Sequence, residues 1–250
     1  MKNMHVGQFL RGITLLVVAP ILTIVTSLAG LLGTMIFGMS STNAQCFPRL
    51  WAKLLLRLSG VTVTIKGGQS LINGNPYIFA GNHQSQFDIF ALQGFLGHDF
   101  RWLAKKELFD VPVFGTAMRR VGYISVDRSH SRAAVKSLDV AAKRIAAGTS
   151  VIIFPEGTRS ADGELLPFKS GTMVLAIKAA VPVVPMAIVG THAILPKGHL
   201  LAKSGKVVIR LGEPIETSGY KVKQKHELAQ RLQAAVAGLI AEENGEVVAG

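Results

Sequence analysis

The hydrophobic and polar positions follow different patterns in two parts of the chain. From residue 12 to residue 48 no side chain is charged and none is histidine. Beyond about residue 60, short apolar runs rich in β-branched residues alternate with stretches whose apolar positions recur at helical spacing. The first pattern predicts a membrane-binding helical segment over residues 1–58. The second predicts an α/β domain over residues 59–250.

Seven runs in the second part have the length and composition of strands: Val61–Lys66, Tyr77–Gly81, Arg101–Ala104, Gly122–Val126, Ser150–Phe154, Val183–Val189 and Val207–Leu211. Amphipathic helices are clearest at Arg132–Ala147, Thr172–Ala180 and His226–Glu243. Because strands and helices alternate, we expect a mostly parallel central sheet flanked by helices. Ligands of such sheets bind where strands end and loops begin, so the functional site is expected there.

The apolar run from Ile13 to Met39 is longer than the ~20 residues that a helix needs to cross a bilayer. A cleaved signal peptide, the alternative, has a shorter apolar stretch of ~7–15 residues. Pro20, Gly30 and Gly33 interrupt the run, and basic residues flank both of its ends. Since cytoplasmic flanks are rich in Lys and Arg, we expect two short helices in one leaflet rather than a single span. They would attach the protein to the cytoplasmic face of the inner membrane.

The composition favours an anionic partner and a lipid environment. Lys and Arg number 27 against 15 Asp and Glu, a net charge of +12 that attracts acidic lipid, phosphorylated substrates or nucleic acid. The hydrophobic fraction of 49% is concentrated near the N-terminus, which favours lipid. Dispersed basic residues and the lack of a recognisable binding motif argue against nucleic acid. Cys46 is the only cysteine, so neither an internal disulfide nor a cysteine zinc cluster can form.

A histidine and an aspartate stand five residues apart between a predicted strand and a predicted helix. His83 follows the strand, and Asp88 begins the helix. Histidine exchanges a proton near neutral pH, so His83 is a candidate general base, and Asp88 could hold the ring nitrogen that faces away from substrate. No Gly-x-Ser-x-Gly elbow is present, so His83 would act directly on an acceptor hydroxyl. Alternatively, His83 is a turn residue and Asp88 an ordinary acid in a first helical turn.

The segment Pro155–Ser160 breaks a predicted buried strand. Its proline ends the strand and Gly157 permits a positive φ, which projects Arg159 from the strand end. An arginine fork beside backbone N–H groups suits a phosphate monoester. Lys105 and Arg128 follow two other predicted strands and could converge on the same place. The alternative for these cations is a solvated surface position.

One further segment imitates a metal site. The sequence His226-Glu227-Leu228-Ala229-Gln230 begins like a zinc-protease helix, but Gln230 stands where the second histidine ligand is required. We therefore predict a helix N-terminus there and no metal site.

Together these segments resemble the glycerolipid acyltransferases, including the 1-acyl-sn-glycerol-3-phosphate acyltransferases. Residues 82–88 are similar to the first motif of that family, and residues 122–128 to the second. Residues 154–160 match the third motif closely, and residues 181–186 are similar to the fourth, an apolar segment with paired prolines. Residues 104–108 also resemble the family. Four motifs in the same order are far more specific than any one of them.

The resemblance implies that His83 and Asp88 form a catalytic dyad. The substrate-binding residues that it implies, mainly for the substrate phosphate, are Lys105, Arg128, Glu156, Gly157, Thr158 and Arg159. It also implies transfer of a fatty acyl group from acyl-CoA or acyl-carrier protein to the sn-2 hydroxyl of lysophosphatidic acid, which gives phosphatidate. The thioester is already activated, so we expect no metal and no other cofactor. The alternatives are a related enzyme that acts on another lysolipid, or a membrane-bound acyl-thioester or ester hydrolase.

Overall fold

A seven-stranded sheet forms the centre of the computed structural model, which describes residues 6–127, 129 and 131–249. The strands are β1 (Val61–Gly67), β2 (Ile78–Gly81), β3 (Phe100–Lys105), β4 (Ile124–Val126), β5 (Ser150–Ile153), β6 (Val183–Val189) and β7 (Gly205–Leu211). Their order across the sheet is β1-β7-β6-β2-β5-β3-β4. Among the strands of the described residues only β6 and β7 pair antiparallel, so the predicted mostly parallel α/β sheet is confirmed.

Helices cover both faces of this sheet within the described residues. They are α1 (Val6–Met35), α2 (Cys46–Ser59), α3 (Phe87–Phe95), α4 (Phe114–Arg120), α5 (Ser131–Ala146), α6 (Met173–Ala179), α7 (Thr191–Ile194) and α8 (Lys225–Ala249). Helices α1, α2, α3 and α7 contribute to the core on one face, and α5, α6 and α8 to the core on the other. The three predicted amphipathic helices correspond to α5, α6 and α8, and His226 lies in the first turn of α8.

The two cores are filled by alternate residues of the same strands. In β5, Ile152 faces the core with α3, while Val151 and Ile153 face the core with α5. In β2, Phe79 faces the first core and Ile78 the second. Successive side chains of a strand point to opposite faces, and both faces are covered here, so these two strands are apolar apart from Ser150 at the start of β5. Each fully buried Leu, Ile, Val or Phe stabilises the fold by roughly 1.5–3 kcal/mol.

One predicted strand starts later than expected. The run from Gly122 to Val126 was predicted as extended, but β4 begins at Ile124. Gly122 has a φ of +85° and its N–H donates to the carbonyl of Arg119 at 3.1 Å. It therefore closes helix α4 in the left-handed region that favours glycine, and does not begin the strand.

The N-terminal apolar run forms one continuous helix. The expectation of two short helices is wrong in this respect, because α1 continues through Pro20 and both glycines to Met35. The glycines serve packing instead, since a Cβ at Gly33 would lie 2.9 Å from the ring of Phe47 in α2. Among the described helices, Gly7–Met35 is the one that is long and apolar enough to cross a membrane, by length and composition alone. The single-leaflet placement stays a prediction.

Candidate active site

The motifs identified in the sequence meet at one edge of the sheet. Strands β6, β2, β5 and β3 are parallel neighbours, so their carboxyl ends lie side by side. The loop with His83 follows β2, the segment 154–160 follows β5, and Lys105 ends β3. This is the edge at which ligands of α/β sheets bind.

His83 and Asp88 are in direct contact. Asp88 Oδ2 lies 2.8 Å from His83 Nδ1, and the same oxygen accepts the backbone N–H groups of Gln84 at 2.8 Å and Ser85 at 2.9 Å. The Asp88 side chain is fully buried, whereas 17% of the His83 side chain is exposed. A carboxylate can only accept hydrogen bonds, so this contact selects the tautomer protonated at Nδ1. Nε2 is then unprotonated and makes no hydrogen bond with any described residue.

The backbone around His83 is anchored to a neighbouring strand. The Asn82 side chain donates from Nδ2 to the Ile188 carbonyl and accepts the Ile188 N–H at Oδ1, both at 2.8 Å. It thereby continues the pairing of β2 with β6 beyond the end of β2. Ser85 Oγ donates to the carbonyl of Leu195 at 2.7 Å and accepts the N–H of Phe87 at 3.2 Å. These bonds hold the loop that carries His83.

An aromatic ring fixes the plane of the imidazole. The ring of Phe154 stacks on His83 with centroids 4.0 Å apart and an angle of 9°. The ring of Trp102 in β3 stacks near Phe154 with centroids 6.3 Å apart, and Trp102 Nε1 donates to Gln93 Oε1 at 2.7 Å. The rotation of the imidazole is thus restricted by stacking as well as by Asp88. Neither the role of Asn82 nor that of Phe154 was predicted, although both stand within the motifs.

The segment after β5 is fastened to His83 on both sides. Glu156 Oε1 accepts the His83 N–H at 2.9 Å, and the Ser160 N–H donates to the His83 carbonyl at 2.8 Å. Glu156 is 2% exposed. Burial raises the pKa of Glu156 to about 7, and the nearby charge of Asp88 also raises it. Hydrogen bonds from the backbone N–H groups of His83 and Leu166 lower the same pKa but do not outweigh the burial. Glu156 therefore holds the loop of His83 in place through a hydrogen bond to its backbone.

The remaining predicted residues form the outer side of this segment. Gly157 has a φ of +73°, and a Cβ there would lie 2.9 Å from Lys169 Nζ. Thr158 is exposed and Arg159 is half-buried. No residue in the described ranges accepts a hydrogen bond from the guanidinium of Arg159, so its donors are available. The geometry suits the binding of an anion.

A lysine that the sequence did not indicate joins this group. Lys197, which follows α7, donates to Thr158 Oγ1 at 3.2 Å and to the Arg159 carbonyl at 2.9 Å. Lys105 is exposed at the end of β3, the strand next to β5, and its side chain forms no hydrogen bond with the described residues. Arg128 lies outside the described residues. Its neighbour Asp127 accepts a hydrogen bond from Lys106 at 3.2 Å.

Comparisons with known proteins show which proteins the chain resembles. A model of the acyltransferase family matches residues 62–189. The chain is 34% identical over 212 residues to the chloroplastic 1-acyl-sn-glycerol-3-phosphate acyltransferase BAT2 of Brassica napus, covering 82% of this chain and 61% of that protein. It is 30% identical over 193 residues to a 1-acyl-sn-glycerol-3-phosphate acyltransferase of Cocos nucifera, covering 77% and 62%. The chain thus spans about three fifths of the length of these curated relatives.

A solved structure has the same fold over almost its whole length. The crystal structure of the 1-acyl-sn-glycerophosphate acyltransferase PlsC from Thermotoga maritima superposes with a TM-score of 0.70 at 25% sequence identity. The match covers 92% of this chain and 98% of that one.

Proposed function

The chain belongs to the acyltransferase family, and we propose that it transfers a fatty acyl group from a thioester carrier to the sn-2 hydroxyl of 1-acyl-sn-glycerol-3-phosphate. The product is phosphatidate, as expected of an enzyme of phospholipid biosynthesis. The observation that carries the proposal is the 2.8 Å contact between His83 and Asp88, at the sheet edge that also bears Arg159. This arrangement combines a base for a hydroxyl with a cation for a phosphate. The names of the relatives support lysophosphatidic acid as the acceptor.

The dyad activates the acceptor. Asp88 and the stacked Phe154 orient the imidazole so that Nε2 takes the proton of the sn-2 hydroxyl. The hydroxyl oxygen attacks the thioester carbonyl, and a carbon–oxygen bond replaces the carbon–sulfur bond. The imidazolium, stabilised by Asp88, returns its proton to the departing sulfur. Phosphatidate and a free thiol result, and His83 ends in its starting state.

The cations place the acceptor. The free fork of Arg159 supplies paired donors for the phosphate, and Lys197 holds the backbone that carries it. Lys105, on the neighbouring strand, adds a second positive charge at the same edge. The net charge of +12 attracts anionic lipid as well as acyl-CoA or acyl-carrier protein, either of which we propose as donor. The thioester brings its own activation, so the reaction as proposed uses no cofactor.

Attachment to the membrane would bring the enzyme to its lipid acceptor. Large apolar side chains of α1 are exposed along its length, among them Leu10, Val17, Ile21, Ile24, Val25 and Leu32. Exposing many large apolar side chains to water is unfavourable, and burying them in lipid removes that cost. We propose that α1 lies on the cytoplasmic side of the inner membrane, where basic flanking residues meet anionic lipid.

The test crosses acyl donors with acyl acceptors. The purified protein is given acyl-CoA or acyl-carrier protein together with lysophosphatidic acid, lysophosphatidylglycerol or lysophosphatidylcholine. Phosphatidate should form in step with free thiol, and His83→Ala should lower the rate by about 10²–10⁴-fold. Release of free fatty acid would show a hydrolase, and faster acylation of another lysolipid would show a different acceptor. Near-normal transfer by His83→Ala would contradict the mechanism.

A further inference from the structure

The loop between β3 and α4 exposes large apolar side chains next to α1. In this β3–α4 loop, residues 106–113, Leu108 is 42% exposed and Val111 is 44% exposed. A groove of about 370 Å³ lies between the loop and α1, lined by residues 111–114 and by Pro20, Thr23, Ile24 and Ser27. Ile24 on the α1 side is itself 56% exposed. The apolar surface therefore extends from α1 across the groove to the loop.

The loop is held in this conformation by its own contacts. Phe109 is buried, and Arg119 donates to its carbonyl at 2.6 Å while the guanidinium lies 5.7 Å from its ring centre. The Gly115 N–H donates to the Val111 carbonyl at 2.8 Å, and a Cβ at Gly115 would lie 2.1 Å from the Phe109 carbonyl oxygen. Because Phe109 fills the interior, Leu108 on one side of it and Val111 on the other stay at the surface.

Positive charges stand at both ends of this apolar surface. Exposed Lys105 precedes the loop, exposed Lys106 is its first residue, and exposed Arg119 and Arg120 end α4. The only acidic residues between Lys105 and Arg120 are Glu107 and Asp110, so the segment carries four cations against two carboxylates. Apolar side chains flanked by basic ones are matched by the interior and the anionic headgroups of a bilayer.

We propose that the β3–α4 loop is a second membrane-inserting element, which buries Leu108 and Val111 in the same leaflet as the exposed face of α1. The inference rests on the membrane attachment proposed above, but not on the reaction. Its partner is an anionic phospholipid bilayer. Because β3 ends at Lys105, directly before the loop, two inserted elements would fix the sheet edge with His83 at the lipid surface. The acceptor could then reach the site without leaving the membrane.

Depth-dependent fluorescence quenching tests this inference. In a Cys46→Ser background, single cysteines are introduced as Val111→Cys in the loop, Val17→Cys in α1 and Val140→Cys in α5, and labelled with an environment-sensitive fluorophore. Val17 and Val140 are 60% and 51% exposed, and α5 packs on the opposite face of the sheet. The full-length proteins are bound to vesicles of phosphatidylethanolamine and phosphatidylglycerol that contain spin-labelled phospholipid. Labels at 111 and 17 should shift to shorter emission wavelength and be quenched by the lipid, whereas the label at 140 should be quenched by aqueous iodide.

The control labels separate the possible failures. If the label at 17 reports lipid and the label at 111 reports water, the loop does not insert and the inference is overturned, while the attachment of α1 stands. If both report water, the attachment is wrong and the inference falls with it. A double variant, Leu108→Asp with Val111→Asp, gives an independent result. Its rate on vesicle-embedded acceptor relative to acceptor in detergent micelles should fall about tenfold, whereas Ile72→Asp with Val140→Asp should leave that ratio unchanged.

Discussion

One carboxylate oxygen of Asp88 accepts hydrogen bonds from the His83 ring and from two backbone N–H groups. We predict that Asp88→Asn lowers kcat by at least about 10²-fold, with a smaller effect on KM. An amide cannot stabilise the imidazolium, and if its NH₂ group faces the ring, it selects the tautomer whose Nε2 is protonated. Initial-rate kinetics measure the effect, and circular dichroism confirms that the variant is folded. A kcat near that of the parent would remove Asp88 from the mechanism.

Arg159 offers a test that separates phosphate recognition from positive charge alone. Lysine keeps the charge but lacks the planar fork, so Arg159→Lys should lose roughly 1.5–3 kcal/mol of binding, or about one to two decades in kcat/KM. The loss should appear when the lysolipid concentration is varied and not when the acyl donor is varied. Arg231→Lys changes an exposed arginine of α8 and serves as the matched control. An unchanged lysolipid dependence in Arg159→Lys would exclude a phosphate contact.

Glu156, in the segment after β5, accepts a hydrogen bond from the His83 N–H, and its ionisation makes the stability of the fold depend on pH. Because burial raises the pKa of Glu156 from 4.5 to about 7, the protonated form is favoured in the folded state. The stabilisation that protonated Glu156 gives to the folded state is fully present below pH 4.5 and is lost as the pH rises through about 7. Up to about 3 kcal/mol of the free energy of unfolding depends on this proton.

We predict that Glu156→Gln removes this part of the pH dependence. Glutamine keeps a side-chain oxygen that accepts the His83 N–H but carries no ionisable proton. The Tm of the detergent-solubilised parent should fall between pH 5 and pH 8, and the Tm of the variant should fall less over the same range. Glu164→Gln, which changes an exposed carboxyl further along the same loop, should behave like the parent. Identical slopes for Glu156→Gln and the parent would show that Glu156 is already ionised at pH 5.

Most strands and helices could be predicted because their periodicity is local. Strand β6 has the predicted bounds, Val183–Val189, β3 is one residue longer at each end, and the other strands differ by one or two residues at one end. The break expected in the N-terminal run, from its basic flanks and its glycine and proline residues, was wrong, because α1 is continuous to Met35. In the structure Gly33 leaves room for Phe47, and α1 continues past Pro20, which lacks an N–H donor. The role of Gly33 depends on packing between α1 and α2, which no local pattern shows.

The candidate site was predictable where its residues are neighbours in sequence. His83 and Asp88 lie within one turn of loop and helix, so their spacing and position at a strand end indicated the contact. Lys197 could not be found this way, because it reaches the Arg159 carbonyl from 38 residues further along the chain. Their proximity arises from the strand order, which places β6, β2 and β5 side by side. Long-range adjacency of this kind is a property of the sheet.

At the scale of the whole molecule, α1 has an exposed apolar side and a protein-facing side. On the protein side, Leu15 reaches the core, and Thr23 Oγ1 accepts the indole N–H of Trp51 at 3.0 Å. On the other side, Val17, Ile21 and Ile24 are each more than half exposed. Removing α1 and making only its outer side polar are therefore different perturbations, and they separate membrane anchoring from folding.

We predict that deletion of residues 1–40 releases the protein from membranes and leaves it aggregated without detergent, because α2 loses the surface against which Phe47 and Trp51 pack. The triple variant Val17→Ser, Ile21→Ser and Ile24→Ser keeps that surface and removes three apolar side chains, each of which contributes roughly 1.5–3 kcal/mol when buried in lipid. It should leave the membrane fraction more readily and elute in gel filtration without aggregates. Sedimentation of membranes followed by gel filtration compares the two variants. Full retention of both in the membrane fraction would mean that α1 is not the principal anchor.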